Sequence, residues 1–255
     1  MKSDRVVDFA KGLVLPVLLL AAWEWSSRRG GGAAYVFVPL RELWSGFMGL
    51  LGSGELWLHL RASLLRTLIG LLAGGGVGIA TGALVAQSRI AERLIDPLFH
   101  SVRQVPLLGL IPLLGLWVGS GDTAKLLVIA IAAFYPTVLN TSEGIRQVEL
   151  RYREVGRMLT LTQLQTFRRI LLPAALPAIV TGVTHAQAFA WLACLGGELL
   201  FSAGPGMGSL LINGEVSGRM DVVLLAVLVI ALLAQLMNLV FNRLAQLLMR
   251  GRTSQ

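Results

Sequence analysis

The chain has 255 residues, of which 55% are hydrophobic and only 14% charged, and its mean hydropathy is +0.71. So few charges cannot coat a soluble globule of this size, so the chain belongs in a bilayer. Its net charge of +8 does not point to nucleic acid, because the cations stand between apolar runs rather than interleaved with aromatic side chains for base stacking; a single cysteine, Cys194, allows neither an intrachain disulfide nor a CxxC metal site.

In chain order, Lys2, Arg5 and Lys11 precede an apolar run from Gly12 to Trp23. The run is short for a span and looks like the core of a signal peptide. Pro16 splits it, however, and Trp23-Glu24-Trp25 is a poor cleavage site, so a retained first helix ending in interfacial aromatics is expected. Gly30, Gly31 and Gly32 read as a flexible link. From Pro39 to Leu64 the pattern is amphipathic, with Leu40, Leu43, Trp44, Phe47 and Leu50 set against Arg41, Glu42 and Glu55. This predicts an interfacial helix closed by Gly52-Ser53-Gly54, with His59 just beyond it as an exposed interfacial histidine.

Residues Thr67 to Ser88 carry no charge, enough for a second span across roughly 30 Å of hydrocarbon. Gly70, Gly74 and Gly78 recur at GxxxG spacing, which strips bulk from one helix face and lets a second backbone approach. No GK[ST] follows these glycines, so they do not form a phosphate loop. Arg89, Glu92, Arg93 and Asp96 read as a short polar turn. A third span runs charge-free from Gln104 to Gly121 with Pro106 and Pro112 inside it, and prolines at membrane depth need a cavity or a neighbouring helix beside them. Two readings of Arg103 stand: contact with an anionic solute, or snorkelling into headgroups. Asp122 and Lys125 bracket the next turn, and a fourth span runs from Leu126 to Ser142.

Between the fourth and fifth spans lies a basic amphipathic stretch, Glu149 to Pro173. Leu161, Leu164, Phe167 and Leu171 recur at helical spacing beside Arg151, Arg153, Arg157, Arg168 and Arg169, charge that hydrocarbon would reject. The expectation is two short surface helices broken near Thr160 to Thr162, with the Thr162 hydroxyl capping the second. Pro173 and Pro177 mark entry into a fifth span, Ala174 to about Gly197. That span holds Thr181, Thr184, His185, Gln187 and Cys194, polar groups that should face other helices or a wet path. Glu198 at its end either lines or gates that path or is an interfacial acid with no mechanistic role. His185, Cys194 and Glu198 do not complete a metal or catalytic set. A sixth span runs from Val222 to Asn242.

Glu154, Thr160 six residues later, and then Ile170, Leu172 and Pro173 together resemble the EAA loop of bacterial ABC importer permeases, which has Glu-Ala-Ala, a Gly six residues on, and Ile-x-Leu-Pro. This chain departs at Val155 and Gly156, where Ala is usual, and at Thr160, where Gly is usual because it takes positive φ without strain. The likeness covers nearly the whole chain from about Pro16. It extends to Arg103, Pro106, Pro112 and Trp117, to Ala133-Phe134-Tyr135-Pro136 with Asn140, to Trp191 and Glu198, and to Gly204-Pro205-Gly206. Thr184 stands where an Arg is common in the sulfonate and taurine branch.

The resemblance implies an all-α polytopic membrane protein: six transmembrane helices of the ABC type I importer permease fold, with a cytoplasmic coupling helix. It implies coupling residues Glu154, Val155, Gly156, Arg157, Thr160, Phe167, Ile170, Leu172 and Pro173, and a translocation path touching Arg103, Thr184, His185, Gln187 and Glu198. It also implies ATPase subunits that carry ATP and Mg, a solute-binding protein, and a second permease copy, with no cofactor or metal on this chain. Fourteen of the 22 Lys and Arg fall in inner segments and seven in outer ones if both termini are inside, Arg103 being unassigned. That bias puts the basic stretch in the cytoplasm of a cell with this protein in its inner membrane. The expected division is 1–30 for the N-terminal segment and first helix, 31–64 for the outer linker, 65–245 for the core permease with its coupling loop at 144–173, and 246–255 for a tail. The likeness favours an aliphatic sulfonate as solute, then taurine or nitrate, with vitamin precursors moved by related systems. A secondary transporter is disfavoured by the lack of an internal repeat.

Overall fold

The computed structural model describes residues 2–28, 37–201 and 203–249, and for residues 2–13, 16 and 153 the backbone alone. The glycine link at 30–32 and the chain from residue 250 lie outside the described residues. Helix follows helix, with no strand among the described residues: α1 (Lys2–Ser27), α2 (Leu40–Gly52), α3 (Glu55–Gln87), α4 (Arg89–Val102), α5 (Leu107–Val118), α6 (Asp122–Arg146), α7 (Leu150–Met158) and α8 (Gln163–Thr166). From α8 the chain runs through a π-helical turn (Phe167–Leu171) into α9 (Leu172–Leu200), and ends with α10 (Met207–Val216) and α11 (Met220–Met249).

The chain divides into two compact units, residues 1–58 with 210–229 and residues 59–209 with 230–255. In the first unit, Glu24 near the end of α1 accepts from the backbone N–H of Leu40 at 3.1 Å, placing an anion on the α2 N-terminus where the helix dipole favours one. The Trp23 indole donates to the Val38 carbonyl at 2.9 Å. Gly46 on α2 lets α11 come close: a Cβ there would lie 2.9 Å from an Asp221 carboxylate oxygen.

In the second unit, α3, α6 and α9 form the packed centre. The glycine face of α3 lies on α6. A Cβ at Gly70 would stand 2.7 Å from Ile129 Cβ, at Gly78 2.8 Å from the Phe134 carbonyl and at Gly82 2.6 Å from the Val138 carbonyl, while at Gly74 it would run into the Ala130 backbone. α6 packs along α9, with Gly182 of α9 against Asn140 and Pro136 of α6. Leu71, Ile111, Val128, Ile129, Ala186 and Ala190 fill the core between these helices.

Four helical stretches among the described residues are long and apolar enough to cross a membrane: Glu55–Gln87, Asp122–Arg146, Gln163–Leu200 and Met220–Met249. A fifth is possible only if α4 and α5, bent by 100°, count as one. Among the described residues the helices are those of a multi-pass membrane protein, and the exact count of six is not fixed by them. In α1, Val14, Leu15, Val17, Leu18, Leu19 and Leu20 are all more than half exposed, as lipid-facing side chains would be.

Three other boundaries differ from expectation. Arg89, Glu92, Arg93 and Asp96 are not a turn but part of α4, whose first turn is capped by the Ser88 hydroxyl accepting from Ala91 N at 3.3 Å. The third span is not one rod: Pro106 cannot donate to a continuing helix and biases the residue before it away from helical geometry, so the chain turns sharply before α5. The amphipathic helix ends at Gly52 as expected, but residues 55–64 already belong to the long α3.

Gly74→Ala should destabilise the detergent-solubilised protein by about 1–3 kcal/mol or more, because its methyl meets backbone that cannot rotate away. Gly76→Ala, where nothing lies within 4 Å, should be neutral or stabilising by up to about 1 kcal/mol. Thermal unfolding of the pair checks this.

Candidate functional site

The basic stretch folds as a compact arm. α7 closes in a Schellman motif: Leu161 N donates to Gly156 O and Thr160 N to Arg157 O, each at 3.0 Å, which requires a left-handed residue at the corner. Thr160 takes it, with φ of 50°, the one non-glycine with positive φ among the described residues. Thr162 then caps the next helix reciprocally, accepting from Gln165 N at 3.3 Å while its own N–H donates to the Gln165 side chain at 2.9 Å. The glycine at 156 also has a steric reason. A Cβ there would sit 3.1 Å from Thr166 Cγ2 and 3.3 Å from Ile170 Cδ1.

The second helix of the arm is not separate, since Gln163 to Leu200 is one continuous helical rod through the π-helical turn. Phe167 packs onto the cluster of Ile145, Leu171, Ala175 and Ile179, which roots the arm in α6 and α9. On its free side Glu154 and Arg157 are exposed, as are Leu150, Val155, Met158, Leu159 and Leu164. An apolar patch of this kind rimmed by charge marks an interaction surface. Arg146, at the foot of the arm, pairs with Glu92 at 3.2 Å and Asp96 at 2.9 Å on α4.

The five path candidates do not converge. Arg103 and His185 line one groove of about 790 Å³ between the α4–α5 bend, α6 and α9, together with Tyr135 and Asn140. Thr184 is half-buried and donates back to Val180 O at 3.0 Å, and Gln187 is buried; neither lines the groove. Glu198 lies elsewhere, wholly buried in a polar cluster.

That cluster joins α3, α6, α9 and the segment before α10. Glu198 accepts from Arg66 Nη1 at 2.9 Å, from Ser63 Oγ at 2.8 Å and from the Gly208 N–H at 3.0 Å. Arg66 also donates to the Pro205 carbonyl at 2.6 Å and pairs with Asp122 at 2.8 Å. Ser63 Oγ accepts from Met207 N at 2.8 Å, His59 Nδ1 accepts from Gly206 N at 2.9 Å, and the Lys125 ammonium donates to Ala203 O. Gly206 must lack a side chain because a Cβ would strike the Glu198 carboxylate. Two cations and two carboxylates thus balance where an unpaired charge would be untenable.

The charge count puts Arg66 among the outer segments, Lys125 is expected at a turn and His59 on the surface, and the structure buries all three. The burial of His59 and Arg66 follows from α3 beginning at Glu55: His59, Ser63 and Arg66 then fall on one helical face turned inward. The available signal was that spacing of four and three residues, read as helix continuing into the span.

The family described as binding-protein-dependent transport system inner membrane component matches residues 74–254. A putative aliphatic sulfonates transport permease protein of Bacillus subtilis is 33% identical over 244 residues, 96% of this chain and 88% of its own length. Its Escherichia coli counterpart is 36% identical over 236 residues, 92% and 89%. A nitrate import permease protein of Leptolyngbya laminosa is 31% identical over 226 residues, 87% and 81%. Among solved structures, the MetNI methionine ABC transporter in inward-facing form has a similar fold, with a TM-score of 0.65 and 20% identity over 75% of this chain and 96% of that one.

Glu198→Leu leaves Arg66 buried with Asp122 as its one remaining carboxylate and should lower stability by about 3–5 kcal/mol; Arg66→Met combined with it should recover much of the loss, a coupling that a thermal double-mutant cycle measures. Thr160→Gly relieves left-handed strain of about 1–2 kcal/mol and should raise or preserve the melting temperature with assembly intact.

Proposed function

The chain belongs to the binding-protein-dependent transport system inner membrane component family, as a multi-pass ABC importer permease and not an enzyme, and we propose that it carries a small organic anion inward, in the first place an aliphatic sulfonate. The sulfonate reading is supported by two relatives described as aliphatic sulfonates permeases that match nine-tenths of the chain. Nitrate is the second reading, on the strength of the nitrate permease relative; taurine is a third.

The arm carries the mechanism. Glu154, Val155, Gly156, Arg157 and Thr160 form the surface that docks in an ATPase subunit, and Phe167, Ile170, Leu172 and Pro173 join that surface to α9. ATP and Mg reside on the ATPase, none on this chain. Because Gln163 to Leu200 is continuous, displacement at the arm is transmitted along α9 rather than absorbed in a loop. α9 and α6 wall the groove that holds Arg103 and His185, so tilting one against the other widens or closes it. The permease contributes two packings of the same helices, and the nucleotide state of its partner selects between them. The excess of Lys and Arg in the inner segments supports a cytoplasmic arm and cytoplasmic termini. A second copy of the chain completes the path, and a solute-binding protein delivers the anion on the opposite side.

Glu154→Lys should leave the protein inserted and assembled yet reduce solute-stimulated ATP hydrolysis at least tenfold in proteoliposomes containing all partners. Wild-type stimulation by that variant would remove the arm from the coupling route.

A further inference from the structure

We propose that the groove between the α4–α5 bend, α6 and α9 is a solute subsite in two parts: Arg103, with Asn140 and His185, takes an oxyanion head, and Leu108, Phe189 and Leu192 hold a hydrocarbon tail whose length sets selectivity. The inference rests on the transport reading above and assigns residues to it.

Its volume of about 790 Å³ falls in the range of ligand clefts, which are mostly apolar with a few placed polar groups. α9 supplies His185, Phe189, Leu192, Gly196 and Leu199, a helical repeat on one face that runs about 20 Å at 1.5 Å per residue. Phe189 and Leu192 are 54% and 62% exposed, large apolar groups with room beside them. Leu108 faces the same wall, abutting Gly196.

The polar groups have the right sign. Arg103 is exposed and forms no side-chain hydrogen bond or ion pair among the described residues, so its planar fork is available to two oxygens of a sulfonate or similar anion. Asn140 donates one amide hydrogen to Pro136 O and keeps the other. No carboxylate lines the groove among the described residues. An ammonium such as that of taurine therefore finds no counter-charge there, and nitrate has no carbon chain with which to cover the apolar wall.

The test is equilibrium dialysis of ethane-, propane-, butane- and hexanesulfonate and taurine against the assembled permease–ATPase complex in phosphatidylcholine nanodiscs, without binding protein. Affinity should rise roughly fourfold per buried methylene, and taurine should bind at least tenfold more weakly than propanesulfonate. Arg103→Gln should weaken every sulfonate about tenfold or more with the chain-length slope unchanged, and Arg103→Lys should recover part of that. Phe189→Ala and Leu192→Ala should flatten the slope, weakening hexanesulfonate at least tenfold more than ethanesulfonate. Affinity independent of tail length, affinity indifferent to Arg103, or binding abolished by adding anionic phospholipid would overturn the proposal, the last by making the groove a lipid site. Uptake into proteoliposomes by the complete importer separates the two levels. If no sulfonate enters, the transport reading fails; if sulfonates enter regardless of Arg103 and tail length, the subsite alone fails.

Discussion

The pairing of Glu198 with Arg66 in the protein interior is the constraint around which the second unit is built. Neither charge can be left alone in a low-dielectric surrounding, so each fixes the position of the other. Their remaining hydrogen-bonding capacity is filled by Ser63, Pro205, Gly208 and Asp122. Three helices and the segment at 203–208 are held to one another by groups that have no alternative partner in hydrocarbon. Such a cluster adds little net stability over a well-packed apolar core, but it makes misalignment expensive. A region that refuses to slip gives the helices around it a fixed frame.

The glycine face of α3 complements that anchor. Where Gly70, Gly74, Gly78 and Gly82 meet α6, backbone lies against backbone, and there is no side chain between them to rearrange. Lipid offers helices no hydrophobic drive to associate, so close van der Waals contact must supply it. α3 and α6 thus pack as one body, beside the continuous rod from Gln163 to Leu200.

The arm shows how a local rule can be satisfied by an unfavoured residue. The Schellman corner demands left-handed geometry, and Thr160 adopts it although its β-branch resists. The surrounding hydrogen bonds, among them those donated by Leu159, Thr160, Leu161, Thr162 and Gln165, over-determine the backbone there. Gly156 pairs with this economy of space, leaving room for Thr166 and Ile170.

Composition and hydropathy alone determined that the chain lies in a membrane, and the Thr162 hydroxyl determined where the arm breaks and is capped, because burial preference and capping act within a few residues. The glycine spacing on α3 likewise announced a bulk-free face, yet which helix lies against it was decided by the fold. The 100° turn between α4 and α5, the inward face of His59, Ser63 and Arg66, and the union of Arg66 with Glu198, 132 positions apart, were settled only in three dimensions. A charge in an apolar run reads as a loop until its partner is known, and that partner is brought near by helix packing, to which no local pattern refers.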